Sequence, residues 1–366
     1  MSLAAVDHVL ATTAPRTPSF RLVKDGKPLL VEAYTRSGRV GGQPYRGAAD
    51  PLRISQAFAD GATIVLQSLH RSWAPLARFC RDLELDLTHP AQANAYLTPA
   101  GAVALAPHHD THDVFVLQVH GHKHWRVSEP VVALPLPRHR SRQELAAAQP
   151  VIFEAELGPG DCLYLPRGFI HAAAAQQDAS LHITIGIHAA TAYDVLAALL
   201  DRAAEHPAFR VSLPVGFARD DDGGGGKGLR LAVEECMAEA QRWLASVDPE
   251  PVAAELQDRF WSQRPPLLDG QLRQMVDLDG LEDRDVVVRR AGSIAERRPC
   301  NADRVRILLG DRELVLPASV GPALWRLLDG EPRPVSALAD LLDAASRLVL
   351  VRRLVREGLV EVVDGR

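Results

Sequence analysis

The sequence predicts an α+β protein: a β-barrel flanked by N-terminal helices, then a helical region, then a small terminal domain of helices closed by a strand. Three observations lead there. From Gln92 to His188, short β-type runs alternate with Gly/Pro turns at the spacing of a sandwich or barrel. Within that stretch, residues 180–188 alternate strictly. Leu181, Ile183, Ile185 and Ile187 fall on one face, and Ser180, His182, Thr184, Gly186 and His188 on the other. One greasy face and one small, polar face suit a barrel wall whose lumen holds a polar ligand. After Ala190 the apolar period lengthens from two residues to that of a helix.

Taken in order, residues 1–52 are mixed and turn-rich, with an extended stretch around residues 34–38. Residues 53–60 and 72–85 read as helices, and the β-branched run 62–66 between them as a buried strand. Asn94, Tyr96 and Thr98 share one face of the first barrel strand. Residues 114–119 and 123–127 read as a hairpin about Gly121. Residues 193–200 and 229–244 read as helices, and the run of acids and glycines at 220–228 between them as a loop. Near the end, 304–309 and 313–316 read as a hairpin. Residues 322–328, 335–342 and 348–357 read as helices, and 358–363 as a closing strand. That order suggests a winged-helix fold. The domain boundaries are therefore 1–189, 190–300 and 301–366.

Composition narrows the function. With 366 residues and 47% hydrophobic content, the chain can bury more than one core. Its net charge of −5 advertises no general affinity for nucleic acid. The terminal segment 303–366 holds ten arginines against ten carboxylates. Phosphate neutralisation needs surplus cations, so direct nucleic-acid binding is not expected, and a protein-contact role is favoured there. Cys80, Cys162, Cys236 and Cys300 are scattered without metal-type pairing. No signal-peptide or membrane-spanning run appears. A cytoplasmic location is the expectation.

The chemistry concentrates in His108-His109-Asp110 and in His171, 61 positions past the aspartate. Residues two apart on a strand point the same way, so His108 and Asp110 reach one metal together and His171 arrives from a second strand. Two imidazoles and one carboxylate on one face leave other octahedral positions open. Non-haem Fe(II) oxygenases need those positions for co-substrate and O2, whereas a structural zinc site closes its shell. The opposing reading is a hydrogen-bonded polar cluster. His112 shares the parity of the pair but lies too far along to ligate, so a substrate-side or structural role is expected for it. His109, His120, His122 and His124 read as surface residues, Trp125 as core, and His182 as either a pocket residue or a satisfied core histidine. Tyr34, Arg36 and Arg71 are placed at a substrate cleft from sequence position alone.

Four stretches agree in order with one known family: residues 107–118, 121–127, 163–171 and 180–184, preceded by 94–99. Across roughly 50–190 the chain resembles the JmjC-type ribosomal oxygenases of the cupin superfamily, and farther on the likeness is weaker. The resemblance implies a double-stranded β-helix (jelly-roll) barrel, a helical dimerisation region that makes a homodimer, and a C-terminal winged-helix domain. It implies an Fe(II)- and 2-oxoglutarate-dependent dioxygenase that uses O2 to hydroxylate a His or Arg side chain of a protein, by default a ribosomal one. Position by position, it makes His108, Asp110 and His171 the iron ligands. Lys123 becomes the partner of the distal carboxylate of 2-oxoglutarate, and Asn94 a further co-substrate contact. Where eukaryotic members place a serine near that carboxylate, this chain has Gly186, so Thr184, His182 or water would assist Lys123.

Other functions fit some of these residues. A tailoring hydroxylase of a ribosomally synthesised natural-product peptide would use the same scaffold. A non-catalytic metal-binding cupin that serves as an interaction module would not need Lys123. A Lewis-acid cupin usually adds a fourth protein ligand, and the sequence offers no convincing one.

Overall fold

A computed structural model describes residues 1–218 and 225–363. It contains two compact units, Met1–Ala189 and Ala190–Arg366.

The first unit opens with α1 (Leu3–Thr12), whose first turn is capped by the Ser2 hydroxyl accepting from the Ala5 N–H. Strands β1 (Phe20–Lys24), β2 (Lys27–Pro28), β3 (Thr35–Val40) and β4 (Gln43–Ala49) follow. Strand β3 covers the extended stretch expected around residues 34–38, and α1, β1, β2 and β4 give regular structure to the rest of the mixed, turn-rich segment. Next come α2 (Pro51–Ala59), β5 (Thr63–Leu66) and α3 (Ala74–Leu87), close to the expected pair of helices and intervening strand. Helix α2 starts where it does because Asp50 caps the Arg53 N–H and Pro51 supplies a pre-set φ.

The barrel strands are β6 (Ala91–Thr98), β7 (Asp113–His120), β8 (Lys123–Ser128), β9 (Val151–Leu157), β10 (Cys162–Leu165), β11 (Ile170–Ala175) and β12 (Ser180–Ile187), with the short α4 (Gln143–Ala147) before β9. They form two sheets: a seven-stranded one ordered β10-β7-β12-β6-β5-β1-β2, and a three-stranded one ordered β11-β8-β9. The two strands of the expected hairpin are present as β7 and β8, but they do not pair: β7 lies between β10 and β12, and β8 between β11 and β9, which corrects the hairpin reading. Gly121 turns the chain there with φ +62°, and a Cβ would sit 2.1 Å from the Ala179 carbonyl oxygen. Only glycine fits.

Strand β12 pairs with both β6 and β7 and divides two environments. Leu181, Ile183, Ile185 and Ile187 are buried in a core shared with α1, α2 and α3. Burying each is worth roughly 1.5–3 kcal/mol. Ser180, His182, Thr184 and Gly186 alternate with them and face the barrel interior, as the sequence pattern implied. A second core of Val114, Val116, Trp125, Val127, Leu157 and Leu165 fills the space between the two sheets.

The second unit has helices α5 (Ala192–Ala203), α6 (Gly225–Ser246), α7 (Pro249–Ser262) and α8 (Gln271–Asp277). Thr191 and Asp194 close a capping box at the start of α5. Of the expected loop 220–228, residues 220–224 lie outside the described residues, and residues 225–228 instead begin α6. Strands β13 (Val286–Arg289), β14 (Glu296–Arg298), β15 (Arg304–Leu308) and β16 (Glu313–Pro317) follow, then α9 (Gly321–Leu327), β17 (Arg333–Pro334), α10 (Ala344–Arg356) and β18 (Val360–Val362). The hairpin, the first and last helices and the closing strand agree with the sequence reading. The middle helix is only a 3-10 turn, Val335–Leu338. Two sheets, β17-β13-β18 and β14-β15-β16, and a core that includes Ile307, Leu324, Leu327, Val351 and Leu354 complete the unit. Among the described residues no helix is long and apolar enough to cross a membrane, and all four cysteines are free thiols.

Candidate metal centre

His108 and Asp110 lie in an extended segment before β7, outside any regular strand, which corrects the expectation that they share one. A single antiparallel bridge holds the segment. The His171 N–H donates to the His108 carbonyl at 2.8 Å, and the His108 N–H to the His171 carbonyl at 3.2 Å. The Asp110 carbonyl accepts the Gly168 N–H at 3.0 Å. Extended backbone preserves the alternation that a strand would have given. His109, between the two, points away and is buried, with its Nε2 3.0 Å from the His139 carbonyl. It is not the surface residue that the sequence suggested.

His108, Asp110 and His171 offer ligand atoms that all lie within 4.8 Å of one another. Nε2 of His108 stands 4.0 Å from Oδ1 of Asp110, and Nε2 of His171 stands 3.7 Å from Oδ2. Each imidazole has its Nδ1 beside the backbone carbonyl two residues earlier: Ala106 at 2.9 Å for His108, Phe169 at 3.2 Å for His171. With Nδ1–H donating there, the lone pair of Nε2 is directed inward, the tautomer that a metal requires. Burial pushes the His171 imidazole down to about 4, with His108 adding to the effect and Asp110 opposing it, so this ring is neutral at physiological pH. Burial works against ionisation of Asp110, but His171 and His108 outweigh it and hold the carboxyl below its ordinary value. A donor set of two imidazoles and one carboxylate, open on the pocket side, fits Fe(II).

The three groups line a pocket of about 610 Å³. Lys123 also lines it from the start of β8, at 1% exposure. Its Nζ donates to Thr98 Oγ1 at 3.0 Å and lies 3.5 Å from His182 Nδ1. No carboxylate pairs with it among the described residues, and burial lowers its ammonium to about 7. A buried cation with only neutral neighbours is costly unless an anion completes it. Thr98, which accepts from Thr63 as well at 3.3 Å, was missed as a contact in the sequence. The signal was available, because Thr98 shares the face of Asn94 and Tyr96.

His182 and Thr184 line the same pocket. The Tyr96 ring stacks on His182 with centroids 4.9 Å apart at 5°, and Trp125 meets it edge-on at 5.3 Å. Trp125, read from sequence as core, is thus also pocket wall. Asn94 lines the pocket while its Oδ1 accepts the Ser68 N–H at 2.9 Å, so its amide N–H2 is what it has left to donate.

Gly186 stands elsewhere than the family resemblance implied. It is four residues beyond His182 on β12, about 13 Å along the strand, and not beside Lys123. A Cβ there would lie 2.6 Å from Cδ2 of His112. His112 fills that space, stacked on His188 at 4.7 Å, and lines the pocket without joining the ligand group. Tyr34 is a core residue, 1% exposed and packed edge-on against Phe20. Arg36 and Arg71 are exposed and do not line the pocket.

Residues 69–195 match the family model of the JmjC domain. Over 164 residues the chain is 37% identical to ribosomal oxygenase 1 of Gallus gallus, which covers 44% of this chain and 27% of that one. It is 35% identical over 164 residues to the bifunctional lysine-specific demethylase and histidyl-hydroxylase NO66 of Dictyostelium discoideum, covering 43% of this chain and 32% of that protein. The match thus spans about a third or less of the length of these curated relatives. In structure, the ribosomal oxygenase YcfD of Escherichia coli is similar over 100% of this chain and 91% of that one, with a TM-score of 0.51 at 19% identity. The last likeness is one of fold.

Proposed function

Because residues 69–195 are a JmjC domain, we propose that the chain is an Fe(II)- and 2-oxoglutarate-dependent oxygenase that hydroxylates a side chain of a protein. The observation that carries this reading is one pocket holding both the His108, Asp110 and His171 group and a buried lysine with no carboxylate partner. The metal, when bound, supplies the activation of O2 that oxidative decarboxylation of 2-oxoglutarate to succinate and CO2 requires. His108, Asp110 and His171 hold it from one side and leave the pocket side for co-substrate. Lys123 neutralises the distal carboxylate of 2-oxoglutarate, with Thr98 fixing its Nζ. Thr184, His182 and Asn94 complete the polar wall around that molecule. The apolar wall of Val114, Val116, Trp125 and Leu165 excludes water from the site.

The substrate in this reading is a histidine or arginine of a ribosomal protein. Support comes from the printed names of the relatives, ribosomal oxygenase and histidyl-hydroxylase. Residues 190–300 serve as a dimerisation region: Leu196, Leu200, Leu231 and Met237 expose 55%, 72%, 56% and 60% of their surface, a cost that a second copy would relieve. Residues 301–366 act as a winged-helix domain, and a reducing compartment such as the cytoplasm suits the four free thiols.

The test is co-substrate turnover by purified protein with Fe(II), ascorbate and 2-oxoglutarate in air, following succinate, with Asp110→Ala as control. Succinate formation that the substitution abolishes is the expected result, followed by a search for peptides that gain one oxygen. Absence of both succinate and Fe(II)-dependent 2-oxoglutarate binding under anaerobic titration overturns the oxygenase reading. A metal-binding interaction module would then take its place.

A further inference from the structure

The second unit contains a groove with a one-sided charge. It is open to solvent and lies along β14, the loop after it, β15 and the start of α9. Arg297, Arg298, Arg304 and Arg306 line it, and no carboxylate does. Trp325, half-buried on α9, forms part of its wall. Two of the arginines are tied from outside: Arg298 to Asp258 at 2.6 Å, and Arg306 to Glu313 at 2.7 Å. The other two are not. Arg297 lies over the Trp325 ring at 5.5 Å, and Arg304, which is exposed, meets no carboxylate among the described residues.

The cations are crowded, and Asp258 and Glu313 offset that crowding at two of the four. Arg298 and Arg306 are register partners across β14 and β15, and like charges placed directly opposite repel. Arg304 stands two residues before Arg306 on the same strand and adds a third cation. The net zero charge of residues 303–366 does not describe the groove, whose lining carries four arginines and no carboxylate side chain. A polyanion responds to the local field, not to the total.

We propose that this groove binds single-stranded nucleic acid, its arginines meeting successive phosphates and the Arg297–Trp325 pair offering a flat face on which an unpaired base stacks. Cations in a groove beside an aromatic ring are what a single strand requires and a duplex does not, since duplex bases are already stacked. A phosphopeptide would engage the cations but leave the ring unused.

The experiment is fluorescence anisotropy of the full chain with fluorescein-labelled twelve-nucleotide oligouridine and oligothymidine. A blunt duplex and a phosphoserine peptide serve as comparisons. Neutralising about three phosphates predicts a loss of affinity of roughly 20-fold between 50 and 200 mM salt. Arg304→Glu, and the double variant Arg297→Gln with Arg304→Glu, should weaken binding of the single strands at least tenfold while leaving succinate formation unchanged. Arg230→Glu, on α6 and away from the groove, should leave binding intact. A response to either oligouridine or oligothymidine supports the proposal, and the stronger of the two names the source. Three results overturn it: no binding at low salt, binding that the arginine substitutions leave untouched, or preference for the duplex or the phosphopeptide.

Discussion

His108 and His171 are joined twice, once through their backbones and once through their rings. The backbones exchange both hydrogen bonds of an isolated antiparallel bridge, and the ring centroids lie 4.5 Å apart. The carbonyls of Ala106 and Phe169 set both tautomers from within the same two segments, so the ligand set is assembled before any ion arrives.

A preassembled site predicts that metal binding stabilises the fold without reorganising it. Adding Fe(II), or Co(II) as an air-stable substitute, to about 100 times its Kd should raise stability by about 2.7 kcal/mol, read as an increase in Tm that a chelator reverses. Asp110→Ala should lower metal affinity by at least 100-fold and abolish that increase. The metal-free Tm should move little, because the Asp110 carboxylate is about a third exposed and makes no hydrogen bond that the fold depends on. A large drop in metal-free Tm would show that Asp110 is structural.

Lys123 ties co-substrate affinity to pH. Its ammonium is held down at about 7 by burial, whereas an unfolded lysine titrates near 10.5. Above about pH 7 the empty site has lost the proton that a bound carboxylate needs. Affinity for 2-oxoglutarate should therefore fall by up to tenfold per pH unit from 7 upward, and calorimetry should record proton uptake on binding. The sign for stability is the reverse. Between pH 7 and 10.5 the unfolded chain holds a proton that the folded chain has shed, so this lysine opposes folding most below pH 7 and progressively less above it. Lys123→Met should stabilise the metal-free protein by about 1–3 kcal/mol and abolish 2-oxoglutarate binding. A variant that still bound 2-oxoglutarate normally would refute the assignment.

Thr98 is predicted to act on the co-substrate through Lys123, while its bond from Thr63 serves the fold. Thr98→Val keeps the shape but removes the acceptor of the 3.0 Å bond. It should cost about 1–3 kcal/mol of stability and weaken 2-oxoglutarate binding. In a Lys123→Met background the same change should cost much less in denaturant unfolding, because the donor is gone.

Gly186→Ala should destabilise the protein by about 1–3 kcal/mol, since its Cβ would come 2.6 Å from the His112 ring. Adding His112→Ala should recover most of that loss in a double-mutant cycle. Equal losses in both backgrounds would mean that Gly186 is required for its backbone rather than for the ring it admits.

The group of His108, Asp110 and His171 was legible because it follows local rules: one side chain skipped, then a third residue after a glycine turn. The lumen face of β12 was legible for the same reason, as its isoleucines recur every second residue. The contacts that organise the pocket were not. Lys123 meets Thr98 across 25 residues and His182 across 59, and nothing in either local stretch encodes that meeting. Gly186 was misplaced for the complementary reason. The alternation of residues 180–188 gave its strand but not which neighbour would occupy the space that its missing side chain leaves, and that neighbour is His112. In the second unit, α8 and β13 went unread because their short apolar runs acquire meaning only once Met275 and Val287 pack into the core around Ile307 and Leu324.

Strand β12 carries one consequence for how such a protein can change over generations. Its odd-numbered side chains serve the hydrophobic core, and its even-numbered ones serve the pocket. Inserting or deleting one residue would exchange the two sets, sending isoleucines against the metal and His182 into the core. Length variation on this strand is thus forbidden, while replacement in place is open. Diversification of what the pocket accepts must come by point substitution at 182 and 184, or from the connecting loops, where length is free to drift.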